Sequence, residues 1–346
     1  MLDIIDLSVQ FTGTYLFEKV NLKINSPDRF ALIGANGAGK TTFLKLIVGI
    51  IAPESGKIQK QKNTSIGYLP QEINKIAGLT LFNEVKSALR ITKILNDEDD
   101  ITSKLKYEND PAKHQNLIIR LGELNHQKEV FNYYSIDSEI KKVLNGLGFE
   151  EKDLDRAVEE FSGGWQMRIE LAKILLENHD LILLDEPTNH LDIDSLRWLI
   201  NFLKNFKKAL IIISHDGYFL NQITNRTLEI SNRKVTIYNG KYDAYLKFKE
   251  EREIQLNAEY LSQQQKIKDT EKFIERFRYK ATKAKQVQSR IKQLEKIERI
   301  EIDGAKKKLN LRFPEPERCG TVPVELISVS MNFGNLKVFT NVNLSI

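Results

Sequence analysis

Short apolar runs alternate with stretches of helical spacing through the first two thirds of the chain. The predicted strands are residues 2–9, 16–24, 30–33, 181–185 and 210–214. The run at 30–33 ends at Gly34 and precedes a helical stretch at 41–48, and helical stretches also follow the two later strands. Because short apolar strands alternate with helices, the pattern predicts an α/β fold, with a mainly parallel sheet and helices on its faces.

The character of the chain changes after Tyr245. Up to about Lys308 there is almost no glycine or proline, the charge density is high, and apolar residues recur at intervals of three, four and seven. These apolar residues are Ile267, Phe273, Ile274 and Phe277, then Val287, Ile291, Leu294 and Ile297. Narrow apolar stripes on two successive helices predict a long antiparallel helical hairpin of the coiled-coil type.

The end of the chain repeats its beginning. Residues 324–346 align without gaps to residues 2–24, at an offset of 322 positions. The identical pairs are Ile5/Ile327, Ser8/Ser330, Phe11/Phe333, Phe17/Phe339, Val20/Val342, Asn21/Asn343, Leu22/Leu344 and Ile24/Ile346. At this offset the counterpart of Gly34 falls beyond Ile346. We therefore expect the chain to be the N-terminal part of a duplicated protein, stopping just inside its second copy.

Composition excludes several classes of protein. Hydrophobic residues make up 41% of the 346 residues, but the longest apolar runs have only the length of a strand, whereas a membrane span needs about 20 residues. The N-terminus is acidic where a secretory signal would be basic. The single cysteine, Cys319, leaves no internal disulfide and fits a reducing cytosol. We therefore expect a cytoplasmic protein without a membrane partner.

Charge is spread unevenly. The whole chain carries a net charge of +5, yet residues 241–308 hold 19 basic and 12 acidic residues, a net charge of +7. Within this segment, residues 276–292 contain seven basic residues and no acidic ones. These residues are Arg276, Arg278, Lys280, Lys283, Lys285, Arg290 and Lys292. Because like charges on a solvated helix repel one another, the cluster at the expected hairpin tip indicates an anionic partner.

A glycine-rich loop follows the strand at 30–33. Residues 34–41 fit the pattern G-x4-G-K-[ST], in which glycines turn backbone N–H groups inward toward a phosphate. Lys40 supplies a cation for the β- and γ-phosphates, and the hydroxyl of Thr41 suits Mg²⁺. The predicted nucleotide-binding residues are Gly34, Asn36, Gly37, Ala38, Gly39, Lys40, Thr41 and Thr42.

Two further motifs follow. The apolar strand at 181–184 ends in Asp185 and Glu186, which beside a phosphate loop suit Mg²⁺ binding and activation of the attacking water, respectively. Residues 161–166, Phe-Ser-Gly-Gly-Trp-Gln, lead into a helix. Their serine and glycines, Ser162, Gly163 and Gly164, predict an N-cap and exposed backbone N–H groups, a second anion site.

Together these motifs resemble the ATP-binding cassette (ABC) superfamily. The family signature Leu-Ser-Gly-Gly-Gln differs here by Phe161 and by the Trp165 that precedes the glutamine. The resemblance implies ATP and Mg²⁺ as cofactors, Glu186, His215 and Gln71 as catalytic residues, and Thr41, Gln71 and Asp185 as Mg²⁺ ligands. It also implies nucleotide contacts by Ser162, Gly163, Gly164 and Asp192, with Phe11, or less favoured Tyr15, stacking on adenine.

Several phrases resemble the ABC-F branch, whose members carry two cassettes without a membrane domain. They are Asp185-Glu-Pro-Thr-Asn-His-Leu-Asp192, Ser162-Gly-Gly-Trp-Gln-Met-Arg168, and the basic stretches 273–286 and 289–292. The resemblance covers nearly the whole chain and implies an ATPase acting on the ribosome as a translation factor, with the basic residues of the linker contacting tRNA and rRNA.

The implied domains are an ABC domain at 1–240 with a helical subdomain at about 72–160, a basic hairpin linker at 241–312, and an extended segment with the first strands of a second ABC domain at 313–346. Each ATP in the superfamily lies between two cassettes, so a second ABC domain or a head-to-tail second copy is an expected partner.

Three alternatives remain open. The chain could serve as the ATPase subunit of a transporter, although the basic hairpin disfavours this, or it could act on DNA, because phosphate contacts do not distinguish RNA from DNA. Residues 94–135, with the acidic run 96–100, could form a ribosome-touching arm or merely an enlarged helical subdomain.

Overall fold

The computed structural model describes residues 1–11, 13–73, 78–108, 110–130, 135–277, 283–295, 324–334 and 336–346. They fall into two compact units, Met1–Ile254 and Gln255–Ile346. The strands are β1 (Leu2–Phe11), β2 (Thr14–Ile24), β3 (Arg29–Gly34), β4 (Ser55–Lys60), β5 (Ile66–Leu69), β6 (Leu181–Asp185), β7 (Ala209–Ile213), β8 (Arg226–Ser231), β9 (Lys234–Tyr238), β10 (Glu325–Phe333) and β11 (Leu336–Ser345).

The helices are α1 (Lys40–Val48), α2 (Leu81–Ala88), α3 (Arg90–Leu105), α4 (Pro111–Val130), α5 (Ile136–Gly146), α6 (Gly163–Leu176), α7 (Ile193–Asn205), α8 (Gly217–Ile223), α9 (Tyr242–Phe277) and α10 (Ala284–Glu295). Short 3-10 turns cover Glu151–Asp153 and Val158–Glu160. Among the residues described, no helix is both long and apolar enough to cross a membrane.

Six strands form the central sheet of the first unit, in the order β5-β6-β7-β3-β8-β9. Neighbouring strands are parallel except for β8 and β9, which pair antiparallel. Every residue of β6 and β7 is buried, as is typical of parallel strands covered on both faces. The predicted α/β fold with a mainly parallel sheet is confirmed.

A second sheet, of three antiparallel strands in the order β2-β1-β4, covers one side of the first unit. Its apolar residues, including Leu2 and Phe17, form one core cluster with Phe43 of α1 and with Leu183 and Ile211 of the central sheet. Sequence analysis predicted β1 and β2 but not their separate sheet. The third strand of this sheet, β4, could not be predicted, because its residues are mostly polar and exposed and show no apolar run.

A helical subdomain covers the other face of the central sheet. Helices α2, α3, α5 and α6 bury apolar residues in a second core cluster with Ile182 and Ile212, and a bridge between Thr80 and Ala157 joins the two ends of the subdomain. Helices α2 to α5 lie within the region predicted for a helical subdomain, about residues 72–160, whereas α6 lies beyond its end.

Helices α3 and α4 pack together within this subdomain. Ile94, Ile101 and Leu124 are buried between them and the rest of the cluster, and Lys128 Nζ lies 2.5 Å from Glu98 Oε2. The polar segment 94–135, whose residues 109 and 131–134 lie outside the described residues, therefore contributes a two-helix hairpin. A contact between this hairpin and a ribosome stays a prediction.

The N-terminal hairpin β1–β2 recurs in the second unit as β10–β11. Pairs such as Leu7 with Val20 and Val9 with Phe17 have counterparts at the offset of 322, and the register shifts fall at equivalent places. Both hairpins also share left-handed residues and the side-chain bonds that support them. The equivalent residues with a left-handed backbone conformation are Asp6 and Ser328, and Lys19 and Asn341.

In each hairpin the backbone N–H of these residues donates to a side-chain oxygen. Asp6 N donates to Asn21 Oδ1 and Ser328 N to Asn343 Oδ1, while Lys19 N donates to Ser8 Oγ and Asn341 N to Ser330 Oγ. The repeat seen in the sequence is thus also a structural repeat.

Helix α9 begins in the first unit and continues into the second. Its first turns pack on the central sheet, where the rings of Tyr245 and Tyr238 lie 5.8 Å apart and Lys249 Nζ lies 3.4 Å from Glu229 Oε1. Because of these contacts, the compact units divide inside α9 at 254/255, whereas the sequence suggested a boundary at 240/241.

The predicted linker hairpin is described in part. Along α9 and α10, Ile267 and Val287 of the predicted apolar stripes are buried, and the guanidinium of Arg290 lies 5.6 Å from the ring centre of Phe273. The two helices therefore contact each other, as a helical hairpin requires. Residues 278–282 and 296–323, Ile297 among them, lie outside the described residues.

Candidate nucleotide-binding site

The glycine-rich loop connects the end of β3 to the start of α1. Gly37 and Gly39 have φ of 79° and 97°, in the left-handed region that glycine adopts without steric cost. A Cβ on Gly34 would lie 2.8 Å from the carbonyl oxygen of Ile230, and one on Gly39 would lie 2.7 Å from Leu16 Cδ2. Backbone conformation and close packing therefore both require glycine in this loop. The loop is followed directly by the N-terminus of the nine-residue helix α1, where free backbone N–H groups favour an anion.

Lys40 folds back over this loop. Its Nζ donates to the carbonyl oxygens of Gly34 at 3.0 Å and Ala35 at 3.2 Å, so the ammonium group is held at the mouth of the loop. Asn36 and Gly37 are exposed beside it, which leaves the loop open to an anion from solvent. The predicted residues of the phosphate loop are thus brought together as expected.

Asp185 lies at the carboxyl end of the buried strand β6 with only 2% of its surface exposed. Its Oδ2 is buried without a hydrogen-bond partner. Burial raises the pKa of this carboxyl group, while a hydrogen bond from Thr41 and the charges of Lys40 and Lys45 act to lower it. Mg²⁺ prefers oxygen ligands, and Asp185 and Thr41 offer a carboxylate oxygen without a partner and a neighbouring hydroxyl. These two residues therefore fit the ion.

Glu186 follows in a strained conformation. Its φ of 54° is rare for a residue with a side chain, and the strain is held by a hydrogen bond from its N–H to the Ile213 carbonyl at 2.9 Å. Its Oε2 accepts from the backbone N–H of His215 at 3.2 Å, and its Oε1 lies 3.4 Å from His215 Nε2. The structure therefore brings together two of the three predicted catalytic residues.

Burial distinguishes these two catalytic candidates. The side chain of Glu186 is 6% exposed and that of His215 is 74% exposed. Burial raises the pKa of Glu186, although His215 acts to lower it, and a raised pKa makes a carboxylate a better proton acceptor. The loop that carries Glu186 and the loop that carries His215 are also joined by a hydrogen bond of 3.1 Å between the hydroxyls of Thr188 and Ser214.

The remaining predicted ligands lie nearby or are described in part. Gln71 is exposed in the bend just after β5, the strand beside β6. Phe11 pairs with Thr14 at the tip of the β1–β2 hairpin, but its side chain lies outside the described residues, so adenine stacking stays a prediction. Tyr15, the second candidate, is 42% exposed.

The signature segment differs from the prediction in one respect. Ser162 has the extended backbone of an N-cap, but its hydroxyl makes no capping hydrogen bond. Instead the backbone begins the helix, where the carbonyl of Ser162 accepts from Gln166 N at 2.9 Å. Ser162 and Gly163 are exposed. Among the residues described, no hydrogen bond or ion pair joins this segment to the phosphate loop.

Packing explains why this signature departs from the family pattern. Trp165 packs on Phe149, with ring centres 4.9 Å apart, so it anchors the segment to the helical subdomain. Gln166 is buried and donates to the carbonyls of Val158 at 3.1 Å and Phe161 at 3.3 Å. The glutamine therefore turns inward to hold the preceding turn.

The role of Arg168 was not predicted from the sequence, although the motif that contains it was noted. Its guanidinium donates to the carbonyls of Leu147 at 2.9 Å and His190 at 2.8 Å, and pairs with Asp192 Oδ2 at 2.9 Å. It also lies 4.3 Å from the ring centre of Trp165. Arg168 thus joins the signature helix to the loop that follows Glu186, and no residue spacing in the sequence revealed this.

Asp192 has a structural role of its own. Its Oδ1 caps α7 by accepting from Ser195 N at 2.9 Å, and this bond and Arg168 lower its pKa. The side chain remains 55% exposed. Its predicted nucleotide contact stays a prediction, as do those of Ser162, Gly163 and Gly164.

The predicted RNA-contacting residues lie in the second unit. Arg276 is near the end of α9, and the described members of the cluster on or beside α10 are Lys283, Lys285, Arg290 and Lys292. All of these are exposed except Lys283, which is half-buried. Arg278 and Lys280 lie outside the described residues, and RNA contact stays a prediction for the whole cluster.

Comparisons with known proteins show the family and the fold. A family model described as "ABC transporter" matches residues 17–189, and a second one with the same description matches residues 228–313. The solved structure titled "Structure of ATP binding subunit of ABC transporter" superposes with a TM-score of 0.52 at 20% identity, covering 70% of this chain and 91% of the other. At this identity the likeness concerns the fold alone.

Curated relatives match nearly the whole chain. ABC transporter F family member 5 of Arabidopsis thaliana is 34% identical over 97% of this chain and 49% of its own length. The uncharacterized ABC transporter ATP-binding protein YfmM of Bacillus subtilis is 33% identical over 94% and 63%, and the probable ATP-binding protein YheS of Escherichia coli K12 is 32% identical over 96% and 50%. The chain therefore spans about half to two thirds of the length of these relatives.

Arg168→Ala tests the bridge between the signature helix and the following loop. The change leaves two carbonyls and Asp192 without their partner, so we expect the free energy of unfolding to fall by about 2–4 kcal/mol. Urea unfolding measures the loss. In the control Arg197→Ala, the arginine pairs with Asp194 at 3.8 Å on an exposed surface, and a change within about 0.5 kcal/mol is expected. Equal effects of the two variants would contradict the bridge.

Proposed function

The chain belongs to the ATP-binding cassette family, in its ABC-F branch, and on that premise we propose that it binds ATP with Mg²⁺, hydrolyses it, and acts in the cytoplasm on the ribosome as a translation factor. The observation that carries the ATPase proposal is the convergence of three groups. Lys40 lies on its glycine loop, the orphaned carboxylate of Asp185 lies beside Thr41, and Glu186 lies against His215.

Binding follows from the charges at the loop. The backbone N–H groups of residues 34–42, the N-terminus of α1 and the ammonium group of Lys40 together provide the positive field that a triphosphate needs. Thr41 and Asp185 would hold Mg²⁺, with Gln71 completing the set, and the ion would neutralise phosphate charge. Phe11 or Tyr15 would contact the base from the tip of the β1–β2 hairpin.

The buried carboxylate of Glu186 acts as the general base for hydrolysis. A carboxylate with a raised pKa accepts a proton from water more readily than an ordinary glutamate does. Its oxygens are already fixed by the backbone N–H and ring of His215, so little reorganisation is needed. His215, exposed on its outer side, is well situated to contact a terminal phosphate.

A second cassette is needed to complete the site. The exposed Ser162 and Gly163 make no contact with the phosphate loop among the described residues, which supports their use by another nucleotide. In β10–β11 the apolar positions that are buried in β1–β2 are instead exposed, as Phe339 and Leu344 illustrate at 41% and 47%. We propose a duplicated architecture in which a further cassette core covers this hairpin, or a head-to-tail pairing of two copies.

The ribosome proposal rests on the linker. Lys285, Arg290 and Lys292 are exposed on α10, and the sequence from 276 to 292 contains no acidic residue. Such a surface suits the phosphate backbone of tRNA or rRNA. The ABC-F relatives support the proposal by kinship alone, since their names mention ATP binding or membership of the F family and no RNA.

Lys40→Ala tests nucleotide binding. The change removes a charge-assisted contact to phosphate that is worth about 1.5–3 kcal/mol, so we expect MgATP affinity to fall at least tenfold in calorimetric titration. Lys57→Ala, which removes an exposed cation from β4, should bind like the parent. Equal affinity of the Lys40 variant and the parent would exclude the phosphate-loop assignment.

Glu186→Gln tests the catalytic carboxylate. The amide keeps the shape of the side chain but cannot accept the proton, so we expect ATP binding to persist while phosphate release slows at least 100-fold, within the range typical of a lost general base. Phosphate release is measured over a range of chain concentrations, because the composite site requires a second cassette. A variant that turns over at the parental rate would show that another group is the base.

The double substitution of Lys285 and Lys292 by Glu tests the RNA surface. Loss of two phosphate contacts should weaken ATP-dependent co-sedimentation with ribosomes and lower the slope of log affinity against log salt by about 1.5. ATP binding should not change. Substituting Lys266 and Lys268 by Glu makes the same charge change on α9, where acidic residues balance the lysines, and should have a much smaller effect.

Two results of this experiment would overturn the ribosome proposal. One is parental co-sedimentation of the α10 variant at every salt concentration. The other is preferential displacement of the parent from ribosomes by duplex DNA over tRNA, which would favour a DNA-directed ATPase. Recovery of the parent with membranes instead of ribosomes would favour a transporter subunit.

A further inference from the structure

Tyr68 occupies the strand next to the proposed Mg²⁺ ligand. It lies on β5, paired in parallel with Leu183 of β6. Residues paired across a sheet point to the same face, and so does the residue two positions further along a strand. Tyr68, Leu183 and Asp185 therefore share one face of the sheet. This face packs against α1, because Tyr68 contacts the core cluster that contains Phe43 and Leu183.

The hydroxyl of Tyr68 is buried without a hydrogen-bond partner. The Oδ2 of Asp185 is in the same situation. Buried polar atoms nearly always have a partner, and an unsatisfied one costs about 1–3 kcal/mol. Two such atoms on one face of adjacent strands indicate that a polar species satisfies both of them in the functional state.

Electrostatics supports their proximity. Burial and then the charge of Asp185 raise the pKa of Tyr68 to about 12. The phenol is therefore protonated at neutral pH and is available as a donor. Donation directly to Asp185 does not occur, since neither orphaned atom has a partner, and an oxygen that arrives with an ion would supply one. Mg²⁺ typically retains several of its waters when it binds to a protein.

We propose that Tyr68 is a positioning residue for the Mg²⁺ site, its hydroxyl donating to an oxygen of the ion's hydration shell and so favouring Mg²⁺ at Asp185 and Thr41. The proposal rests on the proposed function of this site. Outer-shell partners of this kind typically change metal affinity by 10–100-fold. Tyr68 does not react itself, and Gln71, three residues later and just beyond the end of β5, remains the candidate for direct coordination.

Tyr68→Phe isolates the hydroxyl, because phenylalanine preserves the ring and its packing. We measure ADP affinity by calorimetry in EDTA and across a Mg²⁺ series, and Mn²⁺ binding to the chain–ADP complex by electron paramagnetic resonance. The variant should need about tenfold more Mg²⁺ or Mn²⁺ for half-saturation, while its ADP affinity in EDTA stays within twofold of the parent. Thermal unfolding confirms that the variant is folded.

Tyr245→Phe is the matched control. It also removes a buried tyrosine hydroxyl, but one that lies beside Glu229 near the start of α9, so its metal dependence should equal that of the parent. Half-saturation of the Tyr68 variant within twofold of the parent would overturn the proposal, as would an equal loss of ADP affinity with and without metal, which indicates packing. Failure of the parent to bind nucleotide at all would instead overturn the proposed function.

Discussion

The burial of two adjacent carboxylates at the end of a fully apolar strand is the constraint on which the site depends. Strands β6 and β7 lie inside the molecule, so Asp185 and Glu186 emerge where water is scarce. An uncompensated charge there would be expensive. Each carboxylate therefore recruits partners: Thr41 and the lysines of α1 for Asp185, and His215 for Glu186. One oxygen of Asp185 stays without a hydrogen-bond partner, and this is the observation from which we propose that the site binds Mg²⁺.

The same segment connects the two halves of the cassette. Directly after Glu186 the chain passes His190 and Asp192, both held by Arg168 of the signature helix. Arg168 thereby connects the loop that follows Glu186 to the helix that begins at the exposed Ser162 segment. Its guanidinium bonds to three residues in two segments, Leu147 in one and His190 and Asp192 in the other.

Much of this was readable in the sequence, for identifiable physical reasons. A strand that is buried on both faces must be apolar throughout, and this pattern revealed β6 and β7. A phosphate loop needs glycine wherever a Cβ would clash with neighbouring atoms, and this requirement revealed Gly34 and Gly39. What escaped were features decided by tertiary contact. The polar strand β4 pairs through its backbone, Arg168 finds partners up to 27 residues away, and the partnerless hydroxyl of Tyr68 follows only from burial. Local spacing encodes none of these.

If the unsatisfied oxygen of Asp185 holds a metal ion, nucleotide binding depends on that ion. The most direct test is calorimetric titration of ATP into the chain and into Asp185→Asn, each with Mg²⁺ and with EDTA. We expect Mg²⁺ to strengthen binding to the parent at least tenfold, asparagine to remove this gain, and the affinities of both proteins in EDTA to be similar. Equal ATP affinity of the parent with and without Mg²⁺, or a full Mg²⁺ effect in the asparagine variant, would exclude a metal site at Asp185.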